Sequence, residues 1–81
     1  MKSWNSVVFL KTKSSWSDSS SLSSMKGVQG LWSTSGPWDW AIELDSSHST
    51  PEETEVFVKN LRKADWVAET STCWWKKENS V

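Results

Sequence analysis

Few residues of this chain combine a reactive side chain with a partner at a useful spacing. His48 is the one histidine and Cys73 the one cysteine, so they cannot supply a structural zinc site or an intrachain disulfide. His48 lies in a polar segment, which is typical of a solvated turn residue. Cys73 has no histidine or basic cluster nearby to activate its thiol, which favours a packed, small apolar role. The sequence therefore predicts neither a bound metal nor a cofactor.

The charged residues are equally poor candidates for catalysis or phosphate binding. Glu52, Glu53 and Glu55 stand where the first turn of a helix favours negative charge, and capping and solvation explain them. Arg62 is the one arginine, so an acylphosphatase-like site, which needs an arginine in the first half of the chain, is not supported. The formal net charge of -1 argues against direct nucleic-acid binding, which normally needs a basic surface.

Asp39 is the best-placed candidate for a ligand contact, because it follows a Gly36-Pro37-Trp38 turn. Its carboxylate could receive a ligand amine. Aspartate at such a position also closes turns by accepting backbone N–H bonds. The turn-closing role is favoured, and the sequence leaves both open.

Hydrophobic patterning places this turn inside a small sheet. Alternating, β-branched and aromatic residues predict strands over residues 4–11, 28–35, 38–45 and 66–77. The second strand is weakened or bulged at Gly30. Residues 18–27 fit either a flexible serine-rich loop or a short helix, capped by Asp18 and stopped by Gly27, and the helix is favoured.

A second helix has the clearest start signal in the chain. Thr50 is the predicted N-cap, Pro51 occupies the first helical position and Glu53 completes a capping box. The apolar stripe of this helix consists of Phe57, Val58, Leu61 and Ala64. We expect the helix to end near Asp65.

The predicted order is strand, helix, strand, strand, helix, strand. Two such halves interleave into a ferredoxin-like βαββαβ fold, a four-stranded antiparallel sheet with both helices on one face. A single domain over residues 1–81 is expected. The other face of the sheet would be left uncovered, and function is to be sought there.

Tryptophan is unusually abundant for so small a chain, with 8 copies. A domain of this size buries only about 60% of its unfolded surface and often gains stability by oligomerising. Adjacent residues of a strand point to opposite faces, so at least one of Trp74 and Trp75 should lie on the uncovered face. Exposed aromatic patches normally mark interaction surfaces. The predicted interface residues are Trp38, Trp40, Trp74 and Trp75.

Three segments resemble the C-terminal domain of Lrp/AsnC-type regulators, also called the RAM domain. Residues 25–28 fit its junction between first helix and second strand, and residues 67–72 are similar to its last strand. The central segment, similar to the region of the family's Gly-x-Tyr-Asp turn, has the pattern Val28-x-x-x-Trp32-x-Thr34-x-Gly36-x-Trp38-Asp39. The resemblance covers most of the chain and matches the order of its elements.

The resemblance implies a non-catalytic module that pairs through its sheet into a dimer and often assembles further. It also implies a small effector, such as an amino acid, bound between subunits near the turn and the last strand. The matching residues in this sequence are Gly36, Asp39, Thr70 and Thr72. With 81 residues there is no room for the regulators' DNA-binding domain, so a stand-alone version is expected.

Three functions remain open. The first is this ligand-sensing or assembly module, a homodimer or larger homo-oligomer. The second is a protein-interaction or inhibitor domain that presents a Trp-rich sheet face to another protein. The third is a dimeric α/β-barrel monooxygenase-like enzyme, a class that shares the fold and rarely has a sequence signature. The longest apolar run, residues 7–10, is too short to span a membrane, and without an apparent signal peptide a cytoplasmic location is expected.

Overall fold

The strands of the sheet follow a different order in space than along the chain. The computed structural model describes residues 4–13 and 19–76. Its elements are β1 (Trp4–Thr12), α1 (Ser19–Ser23), β2 (Val28–Ser33), β3 (Trp40–Leu44), a 3-10 turn (Ser46–His48), α2 (Pro51–Arg62) and β4 (Val67–Lys76). In space the strand order is β2-β3-β1-β4, and all neighbours are antiparallel. This is the predicted ferredoxin-like fold.

The hairpin strands β2 and β3 are shorter than the sequence pattern predicts. Their connection takes in residues 34–39, so Trp38 and Asp39 precede β3 rather than begin it. The N–H of Thr34 donates to the carbonyl of Asp39 (2.9 Å). Beyond this bond, Pro37 lacks the N–H that a further hydrogen bond between the strands would need. Strand pairing therefore does not continue toward the turn.

The two helices differ in how closely they follow prediction. α1 has only five residues, because serine competes for the backbone hydrogen bonds of a helix; its predicted cap, Asp18, lies outside the described residues. α2 begins as predicted, with the N–H of Glu53 donating to Oγ1 of Thr50 (3.2 Å). It ends at Arg62 rather than near Asp65, since the N–H of Lys63 turns back to carbonyls of the last turn.

The core lies between one face of the sheet and the two helices. Buried apolar side chains from the two central strands meet those of α1 and α2. They are Val8 and Leu10 of β1, Ile42 and Leu44 of β3, Leu22 of α1, and Phe57 and Leu61 of α2. Both helices therefore cover the same face of the sheet, as predicted.

A β-bulge in β2 changes which of its side chains face the helices. Val28 and Gly30 lie opposite consecutive residues of β3, so Gln29 is an extra residue. The bulge shifts the alternation by one position. Val28 and Leu31 consequently both pack against the core, and Trp32 points to the opposite face.

A group of buried hydroxyls ties β1 to the turn before α2. Oγ of Ser49 accepts the backbone N–H of Ser6 (2.9 Å). The hydroxyl of Thr54 donates to the carbonyl of His48 (2.8 Å) and lies 3.0 Å from Oγ of Ser6. From β4, Nε1 of Trp74 donates to the carbonyl of Ser49 (2.6 Å). These bonds satisfy polar groups whose burial would otherwise be costly.

Candidate functional site

The outer face of the sheet, defined here as the face opposite α1 and α2, collects side chains from all four strands. The strand register determines which residues lie on it, because alternate residues of a strand share a face. They are Asn5, Val7, Phe9 and Lys11 of β1, Gly30 and Trp32 of β2, Ala41 and Glu43 of β3, and Glu69, Ser71, Cys73 and Trp75 of β4. Apolar and aromatic side chains make up about half of them.

Two tryptophans from opposite edges of the sheet meet on the outer face. The ring centroids of Trp32 and Trp75 are 6.4 Å apart and their planes are inclined at 74°, an edge-to-face contact. Beneath them, Val7 is 0% and Ala41 is 3% exposed, although neither helix lies on this side. The two indoles, on the edge strands that flank these residues, remain 48% and 42% exposed. The rings of Trp32 and Trp75 thus form a half-exposed aromatic ridge on the outer face.

The position of the Trp32 ring depends on Gly30. A Cβ added at Gly30 would lie 2.6 and 2.8 Å from two carbons of that ring, and 3.2 Å from Oε1 of Glu43. The indole therefore folds back along its own strand over the glycine. The same contact brings the half-buried Glu43 carboxylate beside the ring.

A second aromatic contact extends the ridge toward the β2–β3 connection. The rings of Phe9 and Trp38 have centroids 6.3 Å apart and are inclined at 41°. Phe9 is on the outer face, so Trp38 reaches that face from the connection. Both side chains are partly buried.

The structure divides the four tryptophans predicted as interface between the two faces. Trp38 and Trp75 belong to the outer face. Trp40 packs against the core on the helix-covered face, and Trp74 lies there too, bonded to the carbonyl of Ser49. Trp74 and Trp75 point to opposite faces, which confirms the alternation argument. Trp40 and Trp74 lie away from the outer face because their strand positions pair with Leu10 and Ser6, which face the helices.

Sequence analysis missed Trp32, the partner of Trp75. The local signal was present, because a glycine two residues before a tryptophan in a strand permits the ring to lie on the backbone. The bulge at Gln29 obscured it, since only the shifted alternation puts Trp32 on the outer face.

Asp39 is engaged by β1 rather than by its own turn. Its Oδ2 accepts the backbone N–H of Thr12 (2.8 Å) and the Thr12 hydroxyl (3.2 Å), and its own N–H donates to the carbonyl of Leu10 (2.9 Å). The carboxylate therefore anchors the β2–β3 connection to the end of β1. Gly36 stands at the exposed tip of that connection with φ of +95°, a conformation that favours glycine.

Thr70 and Thr72 lie on the helix-covered face of β4. Leu10 pairs with both Trp40 and Thr70, so Thr70 and Asp39 are at the same end of the sheet with β1 between them. Thr72 lines a groove of about 340 Å³ between α2 and β4. The four predicted ligand residues are therefore not gathered at one site. Gly36 is at the hairpin tip, Asp39 and Thr70 are at one end of the sheet, and Thr72 is in the groove.

His48 is paired and mostly buried, which corrects its predicted role as a solvated turn residue. Its Nδ1 lies 2.8 Å from Oδ1 of Asp45, and its side chain is 21% exposed. The hydrogen bond from His48 is the main reason that the pKa of Asp45 falls below its ordinary value, with the Ser47 hydroxyl adding to the effect. Ser47 and Asp45 both approach the same imidazole nitrogen. A nucleophile and an orienting carboxylate would need opposite nitrogens, so this cluster is not a catalytic triad.

No group of three histidine, cysteine, aspartate or glutamate side chains in residues 4–13 and 19–76 is arranged to hold a metal ion. Within the same ranges, none of the helices has the length and apolar character needed to cross a bilayer.

Solved structures of other proteins have the same fold. The crystal structure of FFRP-DM1 superposes with a TM-score of 0.75 at 17% identity, covering 89% of this chain and 97% of that one. A hypothetical protein from Pyrococcus horikoshii, PHS023, gives a TM-score of 0.73 at 18% identity, covering 93% and 92%. These identities establish similarity of fold.

A longer regulator contains the same fold as one part of its chain. An AsnC family transcriptional regulator from Agrobacterium tumefaciens matches with a TM-score of 0.72 at 14% identity, over 98% of this chain and 54% of that one. The chain thus spans about half the length of that regulator. No known family profile and no curated protein matches the sequence.

Proposed function

We propose that this chain is a small, non-catalytic regulatory module that pairs with a second copy through the outer face of its sheet. The observation that carries the proposal is the aromatic ridge, in which Trp32 and Trp75 stay almost half exposed above buried Val7 and Ala41. Large aromatic side chains are enriched at the centres of protein interfaces, where covering them gains most. Similarity of fold to an AsnC family transcriptional regulator supports a regulatory rather than an enzymatic role.

A second copy is the favoured partner because the surface is apolar and lacks a dominant charge. A two-fold interface brings identical patches together, and a patch rich in one sign of charge would repel itself. On the outer face, Lys11 pairs in register with Glu69, which leaves a single charge, that of Glu43. The ridge is therefore suited to self-association.

Sedimentation equilibrium together with alkylation of Cys73 tests this proposal. Cys73 is exposed on the outer face, so the packed role predicted from the sequence is wrong, and pairing through this face should shield the thiol. We expect a dimer at micromolar concentration and an alkylation rate that falls as protein concentration rises. A monomer would overturn the proposal. A dimer whose Cys73 reacts equally fast at every concentration would show pairing through another surface.

A second candidate function, binding of a small effector, is favoured by the groove between α2 and β4. The groove combines apolar surface from Val58 and Trp74 with the hydroxyl of Thr72, and its two cations, Lys59 and Arg62, outnumber its one carboxylate, Glu55. Such a mixture of apolar walls and few polar groups is typical of ligand sites. We propose that it takes a small carboxylate, which the two cations would attract.

NMR titration with free amino acids tests the effector site. The expected result is a set of saturable shifts at the Trp74 indole N–H and the Thr72 amide, lost in Arg62→Gln. Saturable shifts at the amides of Gly36 and Asp39 instead would place the effector at the hairpin tip. If neither set of resonances moves, effector binding at these sites is wrong.

A further inference from the structure

The outer face contains a corner built from two indole faces and one carboxylate. We propose that this corner, formed by Trp32, Trp75 and Glu43, binds a small quaternary ammonium ion, and that the bound ion opposes pairing of the two copies. The claim that the ion opposes pairing rests on the proposed function, because it needs the outer face to be the interface. The claim that the corner binds the ion concerns a single subunit.

The inclination of the rings provides the cation site. At 74° and a centroid separation of 6.4 Å, the rings of Trp32 and Trp75 meet as two walls at nearly a right angle. A cation seated in the angle touches the negative face of both π systems, and indole is the strongest of the aromatic partners for a cation. Both rings are almost half exposed, so the angle is open to solvent.

The carboxylate of Glu43 adds charge complementarity. Its Oε1 and the ring of Trp32 lie within 3.2 Å of the same point above Gly30, so the anion is next to one wall. The pairing of Glu43 with Val7 in β1 keeps it in the middle of the face. Because water screens a half-buried carboxylate less than a fully solvated one, Glu43 attracts a cation in this corner more strongly than an exposed glutamate would.

The ligand class follows from hydration. A lysine ammonium or a sodium ion is strongly hydrated, and the corner offers only one carboxylate to replace lost water. A quaternary ammonium ion is large, weakly hydrated and apolar at its surface, so it suits the aromatic walls and the apolar floor of Val7 and Ala41. The corner is therefore specific for alkylated ammonium rather than for cations in general.

Cation binding and pairing compete for the same rings. An interface that covers Trp32 and Trp75 would enclose the cation and remove its remaining water, and enclosing a charge is costly. A ligand that binds the monomer in preference to the dimer shifts the equilibrium toward the monomer. The proposed ion would therefore act as a dissociating signal.

The test uses tetramethylammonium chloride on the full chain, followed by NMR at the indole N–H groups. We expect saturable, millimolar shifts confined to Trp32 and Trp75, while sodium chloride at equal ionic strength and tert-butanol, a neutral analogue of similar shape, produce none. Glu43→Gln should weaken the binding by about tenfold. Glu69→Gln, which removes the same charge from β4 at a position in register with Lys11, is the matched control and should bind normally.

Sedimentation equilibrium in the same solutions tests the competition. Tetramethylammonium should raise the dissociation constant of the dimer for the wild type and Glu69→Gln, with a much smaller effect on Glu43→Gln. A dimer without saturable shifts would overturn the cation site and leave the pairing intact. A monomer that shows the shifts would overturn the pairing and support the site. Shifts in a dimer that does not weaken would refute the competition.

Discussion

Trp32 and Trp75 stand on the two edge strands of the sheet, yet their rings touch edge to face. Neighbouring strands are about 4.8 Å apart, so positions on these two strands are separated by about 14 Å. Together the two indoles must therefore reach across the central strands, although the Trp32 ring also folds back over Gly30. Val7 and Ala41, on the strands between them, are buried without a helix on this side.

Removing one indole of this pair should affect assembly more than removing an indole of the core side. Trp75→Ala deletes one of the two indoles of the ridge, so we expect the dissociation constant of the dimer to rise at least tenfold, which corresponds to about 1.4 kcal/mol of lost contact. Trp74→Phe is the control, because it removes an indole and its bond to Ser49, worth about 1 kcal/mol of folding stability, from the helix-covered face and leaves the outer face unchanged. Sedimentation equilibrium and urea unfolding separate the two effects. Equal dimerisation of Trp75→Ala and the wild type would contradict the prediction.

Gly30→Ala should displace the Trp32 ring, since the new Cβ would fall within 2.8 Å of it. We expect the indole to turn outward, the Trp32–Trp75 contact to be lost and stability to fall by about 1 kcal/mol. Loss of ring-to-ring nuclear Overhauser contacts would report the movement. Gly36→Ala serves as a contrast, because its cost comes from a backbone φ of +95° with no side chain within 4 Å of the added carbon. The Trp32 resonances should stay unchanged in that variant.

Asp39→Ala should loosen the hairpin connection from β1. The carboxylate accepts two hydrogen bonds from Thr12, and a charged acceptor makes such bonds stronger than neutral ones. We expect the protection of the Thr12 amide against hydrogen exchange to fall by about tenfold. Asp39→Asn, which keeps one acceptor oxygen, should lose less. Unchanged protection in Asp39→Ala would show that this anchor contributes nothing.

The Asp45–His48 pair predicts a dependence on acid. Because the hydrogen bond from His48 holds the pKa of Asp45 below its ordinary 3.8, the ionised carboxylate stabilises the fold at pH above 3.8. That contribution disappears as pH falls through the lowered value. His48→Ala should return the pKa of Asp45 toward 3.8 in an NMR titration. Above pH 3.8 the free energy of unfolding of this variant should also be lower than that of the wild type. The difference should shrink as the pH falls through the lowered pKa of Asp45.

Ser47→Ala provides a graded comparison for the same titration. The Ser47 hydroxyl donates to Oδ1 of Asp45 (2.9 Å) and lowers its pKa less than His48 does. The rise in the pKa of Asp45 should therefore be smaller in Ser47→Ala than in His48→Ala. The reverse order would contradict the assignment of His48 as the main partner.

The order of the elements and the start of α2 were predictable because local chemistry determines them. The Thr50 capping box and the Pro37 turn are short-range signals that tertiary contacts do not alter. The faces of individual tryptophans were less predictable. One extra residue, Gln29, reverses the alternation of β2. Gly30 indicated a weakened or bulged strand, but it did not indicate which side chains the bulge would turn to the outer face.

The partners of the candidate site residues were less predictable still. Asp39 bonds to Thr12, 27 residues away, so no turn rule could name its partner. The contact between His48 and Asp45 is local, but it needs the 3-10 turn to bring the two side chains together. Sequence analysis treated that segment as a polar loop and therefore left His48 without a partner.

The pairing of β1 with β4 joins Val8 to Thr72, and this has a consequence for synthesis of the protein on the ribosome. β1 emerges before β4, carries the central apolar residues of both faces, and its partner strand follows more than sixty residues later. Until β4 is synthesised, one edge of β1 is open to other nascent chains. A chaperone that binds extended apolar segments should therefore bind this protein until β4 has paired with β1 and dissociate afterwards.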